Sequence, residues 1–255
     1  GERYYKFKEM GLLADLSDII KDTGYPIKFC SKDLDALSVE HTILGTAYNT
    51  NLVSPQDVPQ SWEDLLDPKW KGRINVEPRM QYWIYATAYW GEAKIVDYLR
   101  KLSKQNPIFV RGDTQSATLL AAGEFPITVS AFFHRALIMK DKGAPVDWIP
   151  LGMPVIDKSS IYSIMRHAPH PNVAKLFLRW WMSPDGAAYV DARRHKGNPV
   201  PGSGTLTSKL FEKLGYQEFF SIPVWNKLDI AALTKKYNAA VGYTKEKERK
   251  KKKKK

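Results

Sequence analysis

At 255 residues the chain is long enough for one large domain or two modest ones, each with a core of its own. Its 44% hydrophobic and 26% charged residues fit a globular protein rather than a fibrous or disordered one, and its longest apolar runs fall far short of a membrane span. The formal charge of +12 is uneven: residues 245–255, KEKERKKKKKK, hold nine basic and two acidic residues, a net +7, which leaves +5 for residues 1–244.

In chain order, residues 3–13 predict a helix closed by Gly11, and residues 15–20 a short turn or helix. Residues 41–48, HTILGTAY, read as a strand that bends at Gly45. A proline-punctuated loop over 54–59 leads to Ser61, which caps a short helix, SWEDLLD, with Asp64 three positions on in the manner of a capping box. The turn PKWKG at 68–72 enters a strand over 73–77, and 81–105 is a long helical stretch with a break point at Gly91. Strands at 107–110, 126–130, 146–150 and 160–165 then alternate with helices at 114–123 and 134–142, the pattern of βαβ units on a mainly parallel sheet. Pro171 opens an amphipathic helix to 182, Ser183-Pro184 opens another, 198–204 (NPVPGSG) is a loop, and 229–241 is the last helix.

Chemistry-bearing motifs are few. The histidines at 41, 134, 167, 170 and 195 fall in no metal-ligating spacing, and there is no nucleophile elbow, phosphate-binding loop or dinucleotide fingerprint. Cys30, the lone cysteine, can form neither an intrachain disulfide nor a zinc site. Catalytic residues, metal ligands and cofactors are therefore all expected to be none. The basic tail cannot bury itself and is expected to be disordered; nothing in the body interleaves basic and aromatic residues as a nucleic-acid reader does, so no nucleic-acid partner is expected. GERYYKFKEM carries no apolar signal-peptide core.

Binding signals are better. At EPRMQY (77–82) a strand's carboxyl end meets a helix start, where free N–H groups and the helix dipole favour anions, and Arg79 adds a guanidinium. RGDTQS (111–116) repeats the layout with Asp113, Thr114 and Gln115. The strand over 126–130 ends in an aromatic pair, Phe132 and Phe133, followed by His134. Carboxyl ends of strands are where open α/β sheets hold ligands. The candidate ligand-binding set is Arg79, Gln81, Tyr82, Asp113, Thr114, Gln115, Phe132, Phe133 and His134; most tryptophans are expected to pack the core.

Along AYNTNLV (47–53), SWEDLLDPKWKGRINVEP (61–78), NPIFVRGDTQSATLLAAGE (106–124), the strand–aromatic-pair–helix unit (126–143) and HPNVAKLFLRWWMSPDGAAYV (170–190), the chain resembles the ferric-iron type of extracellular solute-binding protein of bacterial ABC importers. The resemblance implies a type II periplasmic-binding-protein-like α/β fold, two lobes with mainly parallel or mixed sheets joined by hinge strands. Residues 1–44 would be a partial first lobe, 45–162 the second, 163–213 the return to the first, 214–244 a helical segment packed on the second, and 245–255 the tail. Two departures stand out. The adjacent tyrosines that ligate iron in such proteins correspond to Phe132 and Phe133, which have no donor atom, and the chain starts beyond the opening strands of the first lobe, leaving it incomplete. The resemblance further implies a monomeric, periplasmic component that traps a small anionic organic solute or a metal complex between its lobes. It would hand that solute to an ABC permease in the membrane, without covalent chemistry. The alternatives are an enzyme on the same two-lobed architecture, for which His134 is the best reactive side chain, or a non-functional fragment of a binding protein.

Overall fold

The computed structural model describes residues 2–151, 155–157, 160–198, 200–215 and 228–244, so the lysine-rich tail and part of the 214–244 segment lie outside the described residues. The chain divides into two compact units: one of Gly1–Thr42 and Ile156–Trp225, the other of Ile43–Val155 and Asn226–Lys255.

The first unit is helical. Helix α1 (Glu2–Glu9) ends as expected at Gly11, whose φ of +64° lets its N–H reach the Lys8 carbonyl while Leu12 N–H reaches that of Phe7. Its core is built by Leu16, by Ile19 and Ile20 of α2 (Ser17–Thr23), and by Phe29, Leu37 and Val39. They pack against Leu178, Trp181 and Met182 of α7 (Pro171–Met182) and Val190 of α8 (Pro184–Arg194). Lys175 and Arg179 of α7 pair with Asp18 and Asp22 of α2. The strand expected over 160–165 does not form. Tyr162 bridges to Leu37 and Met165 to Leu13, so neighbouring residues pair with different segments and no ladder develops. A helix absent from the sequence reading, α9 (Leu206–Leu214), is capped by Thr205, whose hydroxyl accepts from Ser208 N–H, and stopped by Gly215 in the left-handed region.

The second unit carries the sheet, in the order β3-β2-β4-β1-β5, with β1 spanning Thr42–Asn49. Strand β2 (Ile74–Val76) runs parallel to β3 (Ile108–Phe109) and β4 (Ile127–Phe132), whereas β1 is antiparallel to β4 and to β5 (Val146–Ile149). The sheet is thus mixed rather than mainly parallel, because β1 is no part of the βαβ run and inserts beside β4 from the other direction. Ser61 and Asp64 cap each other reciprocally, although the segment they start winds as a 3-10 helix, Glu63–Leu66. The long helical stretch is two helices, α3 (Gln81–Trp90) and α4 (Glu92–Ser103), separated at Gly91 with φ +74°. Helices α5 (Asp113–Ala121) and α6 (Phe133–Asp141) follow β3 and β4. The last helix, α10 (Ile230–Val241), packs on α3 and α4; Thr87 and Tyr237 share a hydrogen bond of 2.7 Å, and Lys236 pairs with Glu92.

Candidate functional site

Strands β2 and β4 deliver the chain to one end of the second unit's sheet, and α3, α5 and α6 start there. The first anchor is Glu77, 3% exposed at the end of β2. Its carboxylate accepts from Arg79 Nε (2.8 Å), from Arg79 N–H (3.0 Å) and from Gly112 N–H (3.2 Å). Arg79 reaches on with Nη2 to Asp113 at 2.7 Å. One guanidinium therefore serves two carboxylates, tying the β2 end to the α5 start. Burial pushes the Glu77 carboxyl above its usual range against the pull of Arg79, while Glu77 and Asp113 outweigh burial and raise the guanidinium further. Asn238 of α10 adds a strut, donating to the Pro78 carbonyl at 2.8 Å.

The second anchor is a bulge in β4. Gly45 of β1 pairs with Ala131 and Thr46 with Val129, so Ser130 is the extra residue, and it takes φ +64°. Trp148 of β5 lies against the bulge: its indole N–H donates to the Ala131 carbonyl at 3.0 Å, and a Cβ added at Gly45 would come within 2.3 Å of its ring. Phe133 meets the same indole edge-on at 5.0 Å, and the rings of Phe132 and His134 lie 5.4 Å apart.

Between α5, α6 and the sheet lies a partly open recess. Its wall is largely apolar, including Ala47, Leu120, Phe132, Ala136, Met139 and Val146, with Glu77, Asp113, Ser130 and Arg135 among its polar groups. Of the nine candidate residues, Asp113 and Phe132 line it. Arg79 is bound to two of this unit's own carboxylates, and Phe133 and His134 start α6 beside it, Phe133 against Trp148. Thr114 and Gln115 are exposed on the first turn of α5, and Gln81 is half-buried at the α3 start. Tyr82 is fully buried, with its ring 4.9 Å from Trp62 in a cluster that includes Trp83 and Trp90, and faces away from solvent. Ser130, Arg135 and Met139 were not singled out from sequence. A serine inside a strand and an arginine in the first turn of a helix carry no motif; the bulge accounts for where Ser130 sits. Among the described residues no group of three or more His, Cys, Asp or Glu could hold a metal ion, and no helix is long and apolar enough to cross a membrane.

Comparison with known proteins places these features in a family context. A family model described as bacterial extracellular solute-binding protein matches residues 2–188. A Haemophilus influenzae protein described as uncharacterized is 28% identical over 193 residues, 70% of this chain and 55% of its own length, so the chain spans about half of that curated relative. The periplasmic binding protein AfuA from Actinobacillus pleuropneumoniae, solved with exogenous fructose-6-phosphate bound, superposes with a TM-score of 0.71 at 24% identity, over 93% of this chain and 79% of its own. Iron-bound HitA from Pseudomonas aeruginosa superposes with a TM-score of 0.67 at 16% identity, over 92% and 78%. Their fold is this chain's fold, an α/β architecture of the periplasmic-binding type.

Proposed function

We propose, since the chain belongs to the family of bacterial extracellular solute-binding proteins, that it is the solute-capturing component of an ABC importer. It acts outside the cytoplasmic membrane as a monomer and delivers a small organic anion or a metal complex to a permease. The observation that carries this reading is the convergence at one end of the second unit's sheet. Three helix starts, an apolar recess and fixed charged groups meet there, the composition of a reversible small-molecule site. No bond need be made or broken: affinity comes from oriented polar groups and apolar walls, and none of the described side chains forms a nucleophile–base pair at the recess.

The bound species in the two solved structures differ, a sugar phosphate in one and iron in the other. Ferric ion held by paired phenolates is disfavoured here, because Phe132 and Phe133 offer carbon where hard anionic oxygen is needed. An organic solute, or a metal already wrapped in an organic ligand, suits a phenyl wall better. Isothermal titration of the chain against carboxylates, phosphate esters, phosphonates, polyamines and ferric complexes tests the reading. Saturable heat with at least one of them is expected; a folded protein that is silent to the whole panel would overturn it.

A further inference from the structure

Arg79 carries the expected cation, but its guanidinium is committed to Glu77 and Asp113, and that lip of the recess keeps one net negative charge. Arg135, in the first turn of α6, also lines the recess, is exposed and has no ion-pair or hydrogen-bond partner among the described residues. Ser130 is 5% exposed, and its hydroxyl has no partner among the described residues although it lines the recess. A buried hydroxyl without a partner is costly, and the bulge that turns it there holds a non-glycine residue in the left-handed region. Strain and an unmet hydrogen bond at one residue, in a largely apolar wall, are the marks of a group awaiting a ligand atom.

We infer that Ser130 and Arg135 are the ligand-contacting pair of the second unit, and that the recess takes a small monocarboxylate with a short apolar body. The carboxylate pairs with the Arg135 guanidinium, Ser130 donates to a ligand oxygen, and the carbon skeleton lies against Leu120, Phe132 and Met139. Charge count selects the monoanion. Arg135 is one cation and pairs one for one with a monocarboxylate, whereas a dianionic phosphate ester would bring a second negative charge toward the carboxylates of Glu77 and Asp113. The inference rests on the solute-binding reading above and deepens it.

The test is calorimetric titration of the whole chain with 4-methylpentanoate, leucine and glycerol 3-phosphate. The first should bind, the zwitterion more weakly, and the phosphate ester least. Ser130→Ala should weaken 4-methylpentanoate about fivefold, and Ser130→Gly, which relieves the strain while removing the hydroxyl, should do the same. Arg135→Gln should weaken it on the order of 10- to 100-fold, with Arg135→Lys in between. Thr118→Ala, on the exposed face of α5, serves as the unchanged control. Binding of the carboxylate with wild-type affinity in both the serine and the arginine variants would overturn the assignment while leaving the solute-binding reading intact. Preference for glycerol 3-phosphate or for leucine would overturn the monocarboxylate class. Silence to all three overturns the inference, and the wider panel then judges the solute-binding reading separately.

Discussion

Two arginines near one recess play opposite parts, and the difference is their partners. Arg79 is 36% exposed, and removing it leaves Glu77, whose side chain is 4% exposed, without the cation it pairs with among the described residues. Breaking a buried pair costs about 3–5 kcal/mol; discounted for the half-exposed guanidinium, Arg79→Ala should lower stability in urea unfolding by about 2–3 kcal/mol. Arg135→Ala should stay within about 0.5 kcal/mol of the parent, since its side chain is exposed and unpaired. Equal effects of the two would contradict the assignment of one as scaffold and the other as ligand contact. Glu77 also leaves a pH signature. Its carboxyl is raised above the ordinary 4.5 chiefly by burial, so the folded state holds a proton that the unfolded chain has already released. Stability contributed by this group is therefore full below 4.5 and declines as pH rises through the folded value. Glu77→Gln should flatten that decline relative to the parent, a comparison that cancels the opposite slopes of exposed acids such as Asp18.

At the scale of elements, the bulge joining β1, β4 and β5 shapes the recess. Gly45 is required there because a Cβ would press to 2.3 Å from the Trp148 ring and 2.7 Å from the Ile149 carbonyl oxygen. Gly45→Ala should lower stability by about 1–3 kcal/mol, in the range of overpacked cores, and should weaken solute binding by shifting Ser130. A thermal melt and a titration on the same sample check both, and a melting temperature unchanged from the parent would show that the indole moves aside freely. Much of this architecture was legible in sequence. The glycines at 11 and 91, the Ser61–Asp64 box and the alternation from residue 73 to 149 each mark a local rule that tertiary packing did not override. What stayed hidden depends on pairing between distant segments. β1 enters antiparallel, 160–165 meets two different partners, and Tyr82 turns its ring into the Trp62 cluster instead of toward the site. A residue's place at a strand end or helix start can be read from its neighbours; the direction of its side chain is settled by what packs across the sheet. That is why Asp113 and Phe132 line the recess while Tyr82 does not, and why Ser130 escaped notice.

At the scale of the whole molecule, α7 is apolar on two faces. Ala174, Leu178, Trp181 and Met182 turn inward to the first unit's core, while Val173 (64% exposed), Leu176 (66%), Phe177 (51%) and Trp180 (39%) form a second stripe at helical spacing on the outside. Tyr189 of α8 extends it, half-exposed and 5.6 Å from Trp180, with the Arg193 guanidinium stacked 3.8 Å above its ring. Taking each side chain at ~200 Å² and about half exposed, the stripe offers roughly 500 Å² of apolar surface, at the upper end of what monomeric proteins leave in water. The inner face alone accounts for the helix's place in the fold, so the outer stripe can be changed without unfolding it. Val173→Gln with Leu176→Gln should therefore leave the urea midpoint nearly unchanged, while reducing binding of a hydrophobic dye and any concentration-dependent self-association seen by sedimentation velocity. If dye binding and association are the same in parent and double variant, the outer stripe is already shielded in solution and the surface that drives them lies elsewhere.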